Sequence, residues 1–589
     1  MSHLRSVLPY FRPYRGSLAA GLLLVGVANA FQTVQPWLVK LAVDALSAPA
    51  TTRSDLAQLA GLLVLSALLG GAARYGMREL LNGLSRRMEC DLRDDLFDHL
   101  LRLDASQFGK YRTGDLMTRA AQDTGAVRMA VGPAVMYAVN TLVGFAFGLS
   151  LMLWISPRLT LWALVPMILL PMVVLFFGRI IHRRFERIQE QLSTLSTMVQ
   201  ENLTGVRIVR AYVQEDSQEA RFGELNRDYM KRNVDLVRAS GLFHPLLGML
   251  AGIGMVVVLW VGGLEIMASR ITIGDFVAFV TYLGMLIWPL IALGWVVNLF
   301  QRGAASMGRL NLIFALEPRI LSQPEAVALP ADPLRLEFRD VSFRYPDTER
   351  LVLRDLSFEV EPGMRIAVVG PTGSGKSTLV SLIPRLYDPT EGQILLNGVP
   401  LDRFDLADLR RSTGFVPQDA FLFSNTIREN LALGLGGDLE EDWERVRNAA
   451  RTAQLEETVL EFPHGYDTEL GERGINLSGG QKQRATLARA LARDPRILVL
   501  DDALSAVDTH TEAQILGELR EVLAGRLSFI ISHRVSAVMD ADLILVLDDG
   551  RIAERGTHAD LLARGGVYAR LHRRQLLEEN LEESLAPTG

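Results

Sequence analysis

The pattern of hydrophobic residues divides the chain into an apolar first half and a more polar second half. In the first half, six stretches approach the ~20 apolar residues that a helix needs to cross a bilayer. They cover residues 17–43, 56–80, 133–156, 159–181, 242–267 and 274–299. A single stretch of this kind is also compatible with a buried helix of a soluble protein, but six in succession predict a domain of six membrane-spanning helices.

The basic residues predict the orientation of these spans. They are concentrated between spans two and three and between spans four and five, so we expect the N-terminus, both segments and the C-terminal half to be cytoplasmic. Apolar residues recur at helical spacing in these segments, as in Leu92, Leu96 and Leu100. This predicts that the membrane helices continue into the cytoplasm and turn near 109–115 and 212–217.

Composition changes the picture in three respects. The 589 residues are too many for one hydrophobic core. The net charge of −6, without a large basic patch, argues against a nucleic-acid partner. The single cysteine, Cys90, excludes a disulfide within the chain, and we interpret it as structural. The N-terminus resembles a signal peptide with a cleavage site at 28–30, but apolar sequence continues beyond it and we expect no cleavage.

A proline-bearing linker separates the two halves. We expect a transmembrane domain at 1–318, the linker at 319–333 and a nucleotide-binding domain at 334–575. The remaining residues, 576–589, form an acidic tail, which we expect to be disordered from Glu578 onward. Strand-like alternation begins at Leu334 and strands then alternate with helices, which predicts an α/β domain.

A phosphate-binding loop is the clearest chemical motif. Residues 370–378 match G-x-x-x-x-G-K-[ST], follow an apolar stretch typical of a strand and precede a predicted helix. The glycines allow backbone N–H groups to surround phosphate oxygens, and the helix N-terminus adds a partial positive charge. The candidate nucleotide-binding residues are Gly370, Thr372, Gly373, Ser374, Gly375, Lys376, Ser377 and Thr378.

The same motif predicts a magnesium site. Lys376 supplies a positive charge for the β- and γ-phosphates, and the Ser377 hydroxyl can ligate Mg²⁺. Asp501 follows four apolar residues and would emerge beside the phosphate-binding loop at the end of a buried strand. We therefore expect ATP and Mg²⁺ as cofactors, with Ser377 and Asp501 as metal ligands.

Residues 477–481, Leu-Ser-Gly-Gly-Gln, are the signature of ABC-type ATPases and stand directly before a helix rich in arginine and alanine. With six predicted spans ahead of it, the chain resembles an ABC exporter half-transporter of a prokaryotic inner membrane. The fold that this resemblance implies is an α-helical six-span transmembrane domain followed by a P-loop α/β ABC-type ATPase domain. The partners that it implies are a second ABC half-transporter, membrane lipids and a hydrophobic or amphipathic substrate.

The resemblance also implies roles for single residues. Tyr345 resembles the aromatic residue that stacks on adenine, and Gln418 the Q-loop glutamine, which is both a catalytic residue and a metal ligand. His533 resembles the catalytic switch histidine. In this family the signature faces away from its own phosphate-binding loop and caps the ATP of the other chain. The signature residues to which this nucleotide-binding role is carried over are Ser478, Gly479, Gly480 and Gln481.

Asp502 departs from the family pattern, because the residue after Asp501 is usually the glutamate that activates the attacking water. The shorter side chain withdraws the carboxylate by about 1.5 Å, one carbon–carbon bond. A misplacement of about 1 Å can cost on the order of a hundredfold in rate. We predict that ATP binds here and is hydrolysed slowly, as in the degenerate-site subunit of heterodimeric exporters. A homodimer with two slow sites is the alternative.

Polar residues within the predicted spans are candidates for the substrate cavity. We expect Gln32, Gln35 and Trp288 to line it, although hydrogen bonding between helices explains such residues equally well. Few charges lie in these spans, which favours drugs, lipids or peptides as substrates. An ATP-gated channel or a regulatory ABC protein would share every motif and is the second alternative.

Overall fold

The structure, a computed structural model, describes residues 2–47, 51–346, 348–435, 442–471, 474 and 476–585. The chain forms two compact units. The first comprises Met1–Leu101 and Thr113–Leu316, and the second comprises Arg102–Arg112 and Glu317–Gly589. A short segment from the helical half is therefore counted with the α/β half.

Long helices build the first unit. It begins with a 3-10 helix at Ser2–Tyr14. The helices before residue 317 are α1 (Arg15–Leu46), α2 (Arg53–Arg102), α3 (Ala105–Phe108), α4 (Thr113–Thr118), α5 (Thr124–Met129), α6 (Val135–Ile155), α7 (Pro157–Thr204), α8 (Val206–Ala211), α9 (Glu215–Met267) and α10 (Ile273–Phe314). Because α2, α7 and α9 contain 50, 48 and 53 residues, the prediction that the spans continue as helices beyond the membrane thickness is confirmed.

Four helical segments are long and apolar enough to cross a membrane: His3–Leu46, Arg53–Arg102, Thr113–Ile155 and Glu215–Met267. The other two long helices, α7 and α10, include residues whose side chains the structure does not describe. Within α10, the apolar stretch Ile273–Ile287 is shorter than a full span. The chain is thus a membrane protein by its helices, and the count of six spans stays a prediction.

Local sequence explains where these helices begin and turn. Ser156 caps the N-terminus of α7, with Pro157 at its first position. Thr272 and Asp275 form a capping box at the start of α10, in which each side chain satisfies a backbone N–H of the other residue. The turn between α8 and α9 lies at 212–214, within the predicted range.

A buried carboxylate explains why residues 102–112 belong to the second unit. Both oxygens of Asp104 accept the backbone N–H of Arg319 at 3.1 Å, and one accepts that of Ile320 at 3.1 Å. Asp104 is itself buried. It therefore ties this segment to the stretch of chain that follows α10.

Two sheets form the framework of the second unit. The strands are β1 (Leu336–Phe343), β2 (Leu353–Val360), β3 (Arg365–Val369), β4 (Glu391–Leu396), β5 (Val399–Pro400), β6 (Thr413–Val416), β7 (Ile497–Asp501), β8 (Leu527–Ile531), β9 (Leu543–Asp548) and β10 (Arg551–Gly556). An antiparallel sheet has the order β2-β1-β4-β5, and a larger sheet has the order β10-β9-β3-β8-β7-β6. In the larger sheet all pairs are parallel except β9 with β10. The predicted α/β fold is confirmed.

Helices surround these sheets. They are α11 (Lys376–Ser381), α12 (Leu406–Arg411), α13 (Ile427–Ala432), α14 (Trp443–Thr452), α15 (Glu456–Leu460), α16 (Gly479–Ala492), α17 (Thr509–Leu523), α18 (His558–Arg564) and α19 (Val567–Leu585). The tail, which we expected to be disordered from Glu578, continues α19 to Leu585. That expectation is wrong there, since leucine and glutamate, which dominate these positions, both favour helix.

Candidate functional site

Three neighbouring strands bring the predicted chemical residues to one edge of the larger sheet. Because β3, β8 and β7 are parallel and adjacent, their carboxyl ends meet. The phosphate-binding loop follows β3, Asp501 ends β7, and His533 follows β8. A cavity of about 330 Å³ lies at this edge. Its lining consists of Val352, Thr372, Gly373, Gly375, Lys376, Ser377, Thr378, Gln418, Asp501, Asp502, Ile531 and His533.

The phosphate-binding loop has the backbone that its glycines predict. Gly373 and Gly375 adopt φ values of +82° and +100°, which side chains disfavour, and a Cβ on Gly375 would lie 2.7 Å from Leu353 Cδ2. A Cβ on Gly370 would meet the Leu547 carbonyl oxygen at 2.1 Å. Gly370 therefore packs behind the cavity rather than lining it.

Two polar side chains of the loop differ in their surroundings. Lys376 Nζ donates to the carbonyl oxygens of Gly370 and Pro371, both at 2.9 Å. Burial lowers the pKa of its ammonium group, although Asp502 and Asp501 oppose this shift. Ser374 is buried, and its hydroxyl has no hydrogen-bond partner among the described residues. We expected Ser374 to bind nucleotide, yet it lies outside the lining of the cavity.

The two predicted metal ligands lie in direct contact. Ser377 Oγ donates to Asp501 Oδ1 at 3.0 Å. Burial raises the pKa of the Asp501 carboxyl group, and the Ser377 hydroxyl opposes this shift. Among the described residues no group of three or more His, Cys, Asp or Glu side chains could hold a metal alone. One carboxylate and one hydroxyl fit Mg²⁺, which commonly takes further ligands from phosphate and water.

Asp502 lies in the same cavity in an unusual backbone conformation. Its φ is +48°, in the left-handed region that aspartate tolerates better than most residues. Asp502 Oδ1 lies 2.9 Å from His533 Nδ1. The carboxylate raises the pKa of His533 through this hydrogen bond. The sequence motif identifies both residues, but it does not predict this conformation or their pairing.

Tyr345 lies beside this cavity without lining it. Its hydroxyl is 2.9 Å from Thr378 Oγ1, and its ring packs edge-to-face on Phe343 and Tyr387 at 5.0 and 5.4 Å between ring centres. It lines a neighbouring cavity of about 400 Å³ instead. Sequence reasoning missed Tyr387, since a lone tyrosine after α11 carries no motif.

The signature residues do not line the cavity of about 330 Å³ beside the phosphate-binding loop, here called the P-loop cavity. Ser478 caps α16 in a capping box with Gln481. A Cβ on Gly480 would lie 2.8 Å from the Ala506 carbonyl oxygen. Gln483, one turn into the helix, donates to Ser505 Oγ and accepts from the Ala506 N–H, both at 2.8 Å. The start of α16 is thereby packed tightly against the segment after Asp502.

The polar residues predicted for the substrate cavity have different environments. Gln32 Oε1 accepts a hydrogen bond from Arg74 Nη2 at 3.2 Å, whereas Gln35 is half-buried. The side chain of Trp288 lies outside the described residues. Asn29 donates to Asn140 Oδ1 at 3.0 Å, which is a hydrogen bond between α1 and α6. Helix packing therefore explains Asn29, while Gln32 has a charged partner that we did not expect.

Comparison with known proteins gives the same division of the chain. The family described as "ABC transporter transmembrane region" matches residues 18–290, and the one described as "ABC transporter" matches residues 353–505. The first match lies in the helical half and the second lies in the α/β half.

Several relatives match nearly the whole length. The probable multidrug resistance ABC transporter ATP-binding/permease protein YheI of Bacillus subtilis is 38% identical, over 96% of this chain and 97% of its own. The ATP-dependent lipid A-core flippase of Syntrophus aciditrophicus is 34% identical, over 99% and 96%. A solved bacterial Atm1-family ABC exporter with ATP bound has a TM-score of 0.77 at 31% identity, covering 95% of this chain and 98% of that one.

Proposed function

Because this chain belongs to the ABC transporter family, with its transmembrane region ahead of its ATPase region, we propose that it exports hydrophobic or amphipathic molecules across a prokaryotic inner membrane. The names of its relatives support this, since one is a probable multidrug transporter and one a lipid A-core flippase. We propose further that it is one subunit of a heterodimer and that its own ATP site hydrolyses slowly.

Asp502 is the observation that carries the second proposal. Its side chain lies in the P-loop cavity next to Asp501, at the position of the general base in this family. A base must come within about 2.6–3.2 Å of the proton that it takes. The aspartate carboxylate ends one methylene nearer the backbone than a glutamate would, and it is hydrogen-bonded to His533. The shorter side chain and the hydrogen bond to His533 both keep the Asp502 carboxylate away from an attacking water.

The other residues of the cavity can bind ATP without this base. The N–H groups of the loop and Lys376 would hold the phosphates, and Ser377, Asp501 and Gln418 would hold Mg²⁺. The metal, when bound, neutralises phosphate charge. Gln418 and His533 would orient the groups around the γ-phosphate. The site is therefore suited to binding more than to turnover.

The signature of this chain would serve the second site of the dimer. The N-terminus of α16 offers backbone N–H groups and the Ser478 hydroxyl, which together suit an anion. We propose that Ser478 and Gly480 cap the ATP held by a partner half-transporter that carries the missing glutamate. In the alternative, a homodimer, both sites would carry Asp502 and both would be slow.

Tyr345 provides a test of nucleotide binding. If its ring stacks on adenine, Tyr345→Ala should weaken ATP binding about tenfold, as loss of base stacking typically does. Tyr345→Phe removes only the hydrogen bond to Thr378 and should change affinity less than about threefold. Titration with a fluorescent ATP analogue measures the affinity of each variant. Equal losses in the two variants would exclude stacking.

Transport itself is tested with the complex recovered from native membranes. The chain should co-purify with a second half-transporter of similar length. In that partner, the aspartate equivalent to Asp501 should be followed by glutamate. After reconstitution with the ATPase domains outside, vesicles should accumulate a fluorescent amphiphile only with ATP and Mg²⁺. Recovery of this chain alone would favour the homodimer. Ion conductance without accumulation would favour the channel.

A further inference from the structure

Arg74 is a charged residue within the predicted span 56–80. Its Nη2 donates to Gln32 Oε1 at 3.2 Å. Gln32 stands two positions past residue 30, the centre of the predicted span 17–43. At 1.5 Å per residue, Arg74 lies about 9 Å from residue 68, the centre of its own predicted span, and its hydrogen bond to Gln32 directs the guanidinium toward the middle of the bilayer.

The packing of α1 against α2 shows which residues of α1 lie at the level of Arg74. A Cβ on Gly76 would lie 3.1 Å from Leu24 Cδ1, and one on Gly70 would lie 3.1 Å from Phe31 Cβ. Arg74 stands between these two glycines, so its backbone is level with residues 24–31 of α1. Because its guanidinium is bonded to Gln32, 11 residues from the nearer end of span 17–43, the charge lies deeper than that of an arginine at the membrane surface.

Within the described part of the chain, the positive charge of Arg74 has no acidic partner. Among the residues that the structure describes, no carboxylate forms an ion pair with Arg74 or with Arg78, one turn along the same helix. Glu79 follows Arg78 directly, and neighbouring helix residues project about 100° apart. Both arginines are exposed on the surface of this chain. Two like charges at this spacing repel each other, which an apolar environment makes more costly.

Three other basic residues near the ends of the predicted spans form ion pairs with acids. Lys40 Nζ lies 2.7 Å from Asp275 Oδ1. Arg158 and Arg270 both pair with Glu265, at 3.2 and 3.1 Å. Arg74 instead has an amide as its partner, which orients the guanidinium and leaves its charge available.

We infer that Arg74, oriented by Gln32 and assisted by Arg78, binds the anionic headgroup of an amphipathic substrate. The inference rests on the proposed export function and narrows its substrate class to amphiphiles with a phosphate, sulfate or carboxylate group and an alkyl tail. A guanidinium suits such groups because its N–H donors form a fork that matches two oxygens at once. The apolar sequence of the predicted spans suits the tail.

Binding is measured with the complex as it purifies from membranes, in nanodiscs, by equilibrium dialysis of radiolabelled probes with empty nanodiscs subtracted. Dodecyl phosphate should bind saturably and about tenfold tighter than dodecylphosphocholine, which has the same tail and no net charge. Inorganic phosphate should not displace it. Arg74→Gln should abolish this preference. Arg86→Gln removes an exposed charge further along the same helix and should preserve it.

A second variant keeps the test decisive if Arg74→Gln misfolds. Gln32→Glu keeps the hydrogen bond to Arg74 and neutralises its charge in place, so it should abolish the preference as well. Equal binding of the two amphiphiles to the unmodified complex, or a preference that survives both variants, would overturn the inference. A preference that depends on Arg74 in a complex that transports nothing would uphold it and refute the export proposal.

Discussion

Substituting glutamate for Asp502 is expected to raise the ATP turnover of the purified chain by about a hundredfold. The longer side chain moves the carboxylate outward by about 1.5 Å, toward the place where a water would attack. A hundredfold gain corresponds to about 2.7 kcal/mol of activation free energy. The left-handed backbone at this position, with φ of +48°, costs glutamate at most about 1–2 kcal/mol in stability. Steady-state phosphate release at saturating ATP measures the turnover.

Asp502→Asn is the matched control for this substitution. Asparagine has the same length and tolerates the same backbone conformation, but it cannot accept a proton. It should leave ATP affinity within about threefold and lower the remaining turnover. Brisk hydrolysis by the unmodified chain alone, with no gain in Asp502→Glu, would refute the slow-site proposal.

Lys376→Ala is expected to weaken ATP binding by about tenfold to a hundredfold. Charge-assisted hydrogen bonds contribute about 1.5–3 kcal/mol each. Loss of the ammonium group also leaves Asp501 and Asp502 without the positive charge that acts on both. Only Mg²⁺ and the loop N–H groups then offset their repulsion of the phosphates. Isothermal titration of the purified complex with ATP and Mg²⁺ measures the affinity.

Lys231→Ala is the control for Lys376→Ala, since it removes an exposed lysine from α9, in the first unit. Its ATP affinity should equal that of the unmodified complex. Thermal unfolding of Lys376→Ala without ATP separates lost binding from lost folding. If that variant unfolds as the parent does and still binds ATP normally, Lys376 does not contact phosphate.

Sequence motifs predicted the local structure around the phosphate-binding loop well, because local rules govern it. The glycines of the P-loop, the apolar strand that ends in Asp501 and the helix that starts at Lys376 are all readable within ten residues of each motif. The parallel order of β3, β8 and β7 then brings these pieces together. Helix periodicity likewise predicted the long extensions of α2 and α9.

What the sequence did not predict depends on contacts between distant residues. Arg74 and Gln32 lie 42 positions apart, and no local pattern pairs a polar residue in one span with an arginine in the next. Tyr345 matches its family position, yet its packing on Tyr387 directs it into the neighbouring cavity. The acidic charge of the tail favours disorder, but its leucine and glutamate residues favour the helix that continues to Leu585.

Gly480 of the signature packs tightly against Ala506, 26 positions later, in the segment that follows Asp502. This contact joins the two motifs rigidly. No side chain can enter between them, and Gln483 fastens them through two hydrogen bonds. We therefore expect a shift of the backbone after Asp502 to move Ser478 as well. In a dimer, this connection would couple the two nucleotide sites. ATP binding or hydrolysis at one site would then change the affinity of the other site for its ATP, even where only one of the two is hydrolysed.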